Sequence, residues 1–196
     1  MAASEPKAEV ASPKREHLMA TAWRLFYRDG YRAVGIDTLL AEAGVAKMTL
    51  YNHFDSKDAL IVAVLEKRSS ALLASIKASM AAAGHSPVRQ LQAAFDGLHR
   101  LFAEDEFKGC GFLRALSEYP EPDHPIHLTA WRHKLAFRAL FAELAANAGA
   151  RHPAAFAETI GMLIDGAIIS AHATGKTDPA ETARVAAVSL LKIATG

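Results

Sequence analysis

Cysteine is almost missing from this chain. Cys110 is the only one in 196 residues, which excludes a framework of intrachain disulfides and fits a reducing compartment such as the cytoplasm. Proline and glycine are sparse, at 8 and 12 residues, and β-branched runs are short, so a sheet-rich or loop-rich fold is not favoured. Uninterrupted apolar runs stay short of the ~20 residues that a bilayer-spanning helix needs. The opening stretch, MAASEPKAEVASPKREH, has no continuous apolar segment, so no secretory signal is expected there. Excess charge of either sign is missing too. The 22 Lys and Arg oppose 21 Asp and Glu for a formal net charge of +1, and the N-terminal stretch up to Asp58 is as evenly matched. A nucleic-acid binder usually carries a basic footprint, so any such function here must rest on local geometry.

What the chain does have is apolar surface and alanine. Hydrophobic residues make up 51 % of it, enough for a sizeable core, and the alanine content favours helices throughout, so the expected fold class is all-α. Residues 1–13 mix Ala, Ser, Glu, Pro and Lys without periodicity and read as a flexible arm. Leu18, Ala22, Leu25 and Phe26 then recur at i, i+4, i+7 and i+8, which places a helix over about Lys14 to Asp29 with Gly30 as its stop. Asp37 is expected to cap a short helix from Thr38 to Ala43, ended by Gly44. A second short helix runs from Lys47 to about Phe54, with Leu50 and Phe54 inward. Ser56 caps a long helix that frays near Gly84.

Further on, helices are expected from Pro87 to about Ala103, Phe112 to Glu118, and His124 to Ala146, the last after a proline-broken loop at Tyr119–Asp123. The final two cover about 154–173 and 179–194. Their stripes of Phe156, Ile160, Ile164 and Ile168, and of Ala183, Ala187 and Leu191, suit either a self-complementary seam or plain core.

The segment from Thr38 to Phe54 is two short helices joined by a tight turn with glycine, a helix-turn-helix pattern. Ala41 is small where the helices cross, and Gly44 can take the backbone angle of the turn. With Leu50 and Phe54 holding the second helix, Lys47, Thr49, Tyr51, Asn52 and His53 present hydrogen-bonding groups suited to base edges and phosphates. Lys57 opens the next helix, where free N–H groups already favour a phosphate. The alternative for such side chains is an ordinary solvated helix face. Lys14, Arg15 and His17 either reach the adjacent groove or belong to a solubilising tail.

Residues 14 to about 65 resemble the DNA-binding domain of the tetracycline-repressor (TetR) family. The resemblance is carried by Ala22, Leu25, Phe26, Gly30 and Tyr31, then Gly44 and Val45, and above all by the string TLYNHFDSKDAL from Thr49 to Leu60. It implies a homodimer, with a helix-turn-helix DNA-binding domain at 14–60 and a helical effector-binding and dimerisation domain at 61–196. It also implies double-stranded operator DNA and a small-molecule effector as partners, a cytoplasmic regulator, and dimerisation through the last two helices. Carried over by position, Thr49, Tyr51, Asn52 and His53 belong to the recognition helix and Lys57 is the expected phosphate ligand; the whole expected DNA-binding set is Thr38, Lys47, Thr49, Leu50, Tyr51, Asn52, His53 and Lys57. Ala46 departs from the Ser or Thr common in the family at that position, and the lost cap is expected to cost about 1 kcal/mol of local helix stability.

The expected function is that of a repressor released from a palindromic operator. The alternative is an all-helical enzyme or a scaffold dimer without DNA binding. Nothing resembles a nucleophile with its base, a phosphate-binding glycine loop or a metal set, so neither enzyme activity nor a cofactor nor a metal is expected. His124 and His127 flank Pro125 without a third ligand at suitable spacing. Candidate effector contacts in the middle helices are Phe95, His99, Phe102, Cys110, Phe112, Arg114, Trp131, Asp165 and His172, although aromatics at helical spacing are as readily plain core.

Overall fold

A computed structural model describes residues 12–196, so the expected arm lies outside the described residues except for Ser12 and Pro13. Among the described residues every regular element is an α-helix. In chain order these are α1 (Pro13–Asp29), α2 (Ile36–Ala43), α3 (Lys47–Tyr51), α4 (Lys57–Ala82), α5 (Pro87–Phe102), α6 (Gly111–Glu118), α7 (Pro125–Asn147), α8 (Pro153–Thr174) and α9 (Asp178–Thr195). The chain divides into two compact units, the first ending at Val64 and the second beginning at Leu65. The boundary falls inside α4, one unbroken helix.

In the first unit, α1, α2 and α3 pack on one another. The stripe of Leu18, Ala22, Leu25 and Phe26 is fully buried, so the 3.6-residue period read from the sequence is the inward face of α1. The Phe26 ring meets that of Tyr31, also fully buried, at 5.3 Å between centroids, which anchors the chain just after α1 ends. The N–H of Gly30 closes the helix on the Phe26 carbonyl at 2.9 Å.

In the first unit three boundaries differ from the sequence expectation, each for a local reason. Helix α2 begins at Ile36, with Gly35 as its N-cap and no side-chain cap bond. Asp37 therefore lies inside the first turn, where a carboxylate complements the helix dipole without capping it. Helix α3 stops at Tyr51 because the chain tightens: His53 N–H reaches the Leu50 carbonyl at 3.0 Å, three residues back, and Phe54 is drawn into the core. The first helix starts at Pro13, a residue suited to the first helical position.

Ser56 does cap α4, its Oγ accepting from the Ala59 N–H at 3.0 Å. Ala46 precedes α3 without a side-chain cap bond, and the Thr49 N–H uses the Ala46 carbonyl at 2.9 Å instead.

In the second unit α8 lies between α7 and α9, α5 packs on α9 and α7, and α6 packs on α7. The core draws Phe95, Phe137, Phe141, Ile160, Ile164 and Leu191 from four of these helices. Helix α8 is apolar over much of its length. Its mean hydropathy of 1.5 over an 18-residue window makes it long and apolar enough, by composition, to cross a membrane, although no uninterrupted apolar run is present. Phe156, Ile160, Ile164 and Ile168 are buried between its neighbours, which is the ordinary use of such a helix in a packed core.

Gly44 occupies the left-handed region at φ 62°, ψ 34°, and its N–H bonds the α2 carbonyls of Leu40 and Ala41. An added Cβ would meet nothing within 4 Å, so the constraint is backbone strain alone. Gly44→Ala is expected to lower stability by about 1 kcal/mol, and Gly44→Asn by less, because Asn tolerates this conformation. Urea unfolding followed by circular dichroism compares the two.

Candidate nucleic-acid interface and effector cavity

The turn Gly44–Ala46 sets α3 against α2 and α1, and two side chains hold it there. Leu50 is fully buried and Phe54 is 5 % exposed. Leu50 therefore leaves the set of expected DNA contacts, because its side chain is core and supports α3 from within. Lys47, Tyr51 and Asn52 are exposed on the other side, and Thr49 and His53 are half-buried. Thr38 is exposed near the start of α2.

Met48 was missed by sequence reasoning, since an apolar residue in a core-forming segment reads as core. It is 70 % exposed on the same outward face as Lys47 and Tyr51. The signal was its position: two residues before the buried Leu50 is nearly the opposite side of a helix.

Other expected contacts are held within the unit. Lys57 is half-buried, with Nζ 3.4 Å from the Arg32 carbonyl oxygen. The His17 ring bonds the Ala43 carbonyl through Nε2 at 3.0 Å and so covers the C-terminal end of α2. Arg15 stands over the Phe54 ring at 5.0 Å. Arg15 and His17 thus act as structural ties, while Lys14 is exposed at the start of α1.

The even charge balance also finds its explanation. Arg24 pairs with Glu42 at 2.7 Å, and Arg28 pairs with its neighbour Asp29 at 2.6 Å. The Arg24 guanidinium holds the Glu42 carboxyl below its ordinary range. Between Glu42 and Asp55 the chain has no carboxylate, so α3 presents one cation, Lys47, and neutral donors and acceptors. An approaching phosphate backbone meets no acidic side chain from that stretch.

The second unit contains a cavity of about 450 Å³, within the range of small-molecule sites. Its apolar wall comes from Leu98, Leu101, Phe137, Phe141, Ile164 and Ile168. Of the expected effector contacts, Cys110 lines it, and Asp165 reaches it indirectly, through an ion pair with Lys134, which does line it. Phe112 supports it from behind, stacked on the His133 ring at 3.5 Å between centroids.

The others stand elsewhere. Phe95 and Phe102 are core residues of α5, and Arg114 is half-buried on α6. Trp131 is 39 % exposed on α7 beneath the Arg138 guanidinium, because it falls on the outward side of that helix. His99 is exposed, as is His172, whose ring meets Phe107 edge-on at 6.2 Å.

Two of the polar side chains that line the cavity, His133 and Lys134, are almost wholly buried at 5 % and 4 % exposure. Two adjacent polar residues inside the inward stripe of α7, between Ala130 and Phe137, were the available signal. His133 Nδ1 bonds Ser69 Oγ at 2.8 Å. Burial, and then the Lys134 ammonium beside it, push the imidazole down to about 4, so it is neutral at physiological pH. Burial likewise pushes the Cys110 thiol up, which disfavours the reactive thiolate. No group of three or more potential metal ligands occurs among the described residues. His124 instead caps α7, its Nδ1 accepting from Ile126 N–H at 3.3 Å, and His127 Nδ1 bonds the Tyr119 carbonyl at 2.7 Å.

The depressed His133 pKa has a sign that stability must follow. In the unfolded chain this imidazole takes a proton below about 6.5, and in the folded chain only near 4. Stability is therefore lost as pH falls through that window, by about 2 kcal/mol between pH 7 and pH 5 from this residue alone. His133→Asn keeps a partner for Ser69 but does not titrate, so the difference in unfolding free energy between those two pH values should shrink by about that amount. An unchanged difference would show that His133 carries a proton in the fold.

Comparison with known proteins agrees with this geometry. The family model described as bacterial regulatory proteins, tetR family, matches residues 18–64. The repressor DhaR of Mycobacterium sp. strain GP1 is 36 % identical over 84 residues, covering 43 % of this chain and 42 % of that protein. The activator FasR of Mycolicibacterium smegmatis is 36 % identical over 67 residues, covering 34 % of this chain and 31 % of that protein. These two matches thus span well under half of the relatives' length. The crystal structure of SCO4454, a TetR-family transcriptional regulator from Streptomyces coelicolor, extends the likeness to nearly the whole fold. It is 33 % identical with a TM-score of 0.83, over 93 % of this chain and 96 % of that one. With a helix-turn-helix in its first unit, a helical second unit and this end-to-end likeness, the chain belongs to the tetR family of bacterial regulatory proteins.

Proposed function

We propose that this chain is a homodimeric, DNA-binding transcriptional repressor, active in the cytoplasm and released from a palindromic operator by a small molecule. The observation that carries the reading is the outward face of α3. Lys47, Met48, Tyr51 and Asn52 stand exposed on a helix that Leu50 and Phe54 hold rigidly from the other side. In this reading Asn52 reads a base edge, Met48 packs on a thymine methyl, and Lys47 and Tyr51 take phosphates, with Thr38, Thr49, His53 and Lys57 around them. Both a repressor and an activator stand among the relatives, and repression is the simpler output of DNA binding that a ligand reverses. Those relatives are regulators, which favours this reading over an all-helical enzyme or a scaffold.

Dimerisation is assigned to α8 and α9. Met162 and Ile169 on α8, and Val185 and Ile193 on α9, are between 57 % and 77 % exposed. Such side chains on two adjacent helices favour an isologous seam with a second copy. Two recognition helices would then enter successive major grooves about 34–36 Å apart. The effector would occupy the cavity, of which Arg68, Leu72 and Ile76 on α4 form one wall. Because α4 begins at Lys57, a ligand pressing on that wall acts on the helix that carries a phosphate contact. Release requires the ligand to bind the DNA-incompetent arrangement more tightly.

Fluorescence anisotropy against the promoter upstream of the chain's own gene, with a scrambled duplex as control, tests the DNA reading. Tyr51→Ala should weaken binding at least tenfold with the fold intact. Lys47→Ala should weaken it evenly across sequences and reduce the salt slope by about one per lost phosphate contact. Normal binding by both variants would place the interface elsewhere. For the dimer, Ile169→Asp should shift sedimentation to the monomer and weaken operator binding with it, while a charged residue on the exposed Leu128 of α7 should do neither.

A further inference from the structure

The cavity holds more information than its volume, because its single deeply buried charge is paired with a carboxylate through one of its three N–H donors. Lys134 Nζ donates to Asp165 Oδ1, and the ammonium has two further N–H donors. Lys134 is 4 % exposed and lines the cavity with the six apolar side chains named above. A purely apolar ligand pressed into this space would strip whatever water reaches those donors and give nothing back, which is costly for a charged group. A cationic ligand would face Lys134 first, and behind it a carboxylate that is already paired.

The rest of the polar lining has the same bias. Arg68 and Arg100 line the cavity, and Glu104 is the only acid that does. His133, next to Lys134, is uncharged at neutral pH and adds no second full charge. Both arginines are exposed, so the buried part of the lining offers one ammonium, which suits one carboxylate better than a phosphate that calls for several convergent donors.

We propose that the cavity binds a monocarboxylate with an apolar body, whose carboxylate shares the Lys134 ammonium with Asp165 and whose body lies against Phe137, Phe141, Ile164 and Ile168. The assignment rests on the reading of this cavity as the effector site. It names the chemical class of ligand, and makes Lys134 the residue that discriminates acid from amide or amine.

Calorimetric titration of the full chain with a matched series tests it: octanoate, octanamide and octylamine at neutral pH, with displacement of Nile red as a second readout. Octanoate is expected to bind about tenfold or more tightly than octanamide, and octylamine weakest. Lys134→Met should abolish the preference for octanoate while leaving octanamide unchanged, and Lys134→Arg should restore most of it. The wild-type preference needs no variant, so poor folding of Lys134→Met leaves the test decisive. Equal or tighter binding of octanamide or octylamine overturns the carboxylate assignment and leaves the effector cavity standing. If none of the three binds and Nile red is not taken up, the cavity reading itself falls and the proposal with it.

Discussion

A helix of five residues cannot hold itself together in water, since nucleating the first turn costs more than so few hydrogen bonds return. Everything proposed for the first unit depends on how α3 escapes that limit. It does so by burying Leu50 completely and drawing Phe54 inward just beyond its end, against α1 and α2. The clamp fixes the rotation of α3 and thereby decides which residues face out. Lys47, Met48, Tyr51 and Asn52 are exposed because Leu50 is not. The missing cap at Ala46 is tolerable on the same ground: tertiary packing, not local propensity, holds this helix.

The second unit solves a different problem. Its core is apolar on nearly every helix, yet α7 carries His133 and Lys134 on the inward side. Each is given a partner: Ser69 and the Phe112 ring for the imidazole, Asp165 for the ammonium. A buried ion pair of this kind is weak evidence for stability, since well-packed apolar residues often do as well. In the proposed reading, its position at the wall of a cavity offers a ligand a charged group.

The two units also share a way of hiding charge. In the first, Arg24 and Arg28 are engaged by Glu42 and Asp29, so an even count of acids and bases coexists with an α3 free of carboxylates. In the second, the one deeply buried charge is paired within the core. Net charge is a sum over the whole surface, whereas a ligand or a phosphate backbone responds to the groups within a few ångströms, so the formal +1 was silent about both sites.

The sequence by itself determined the helices and their order, because a 3.6-residue apolar period is a local signal and glycine, proline and capping serine punctuate it locally. It also determined that Lys47, Tyr51 and Asn52 face outward, though not that Met48 does or that Thr49 and His53 are half-buried, and the place of Ser56 as a cap. Tertiary structure alone decided which middle residues meet. His133, Lys134 and Ser69 converge with Asp165 from helices distant in the chain, while the Trp131 ring faces outward, and Phe95 and Phe102 are core. The physical reason is that a cavity is what packing leaves unfilled. It depends on how side chains from several helices fit together, and periodicity along any one helix shows only that a residue points inward, not whether it meets another side chain or a space.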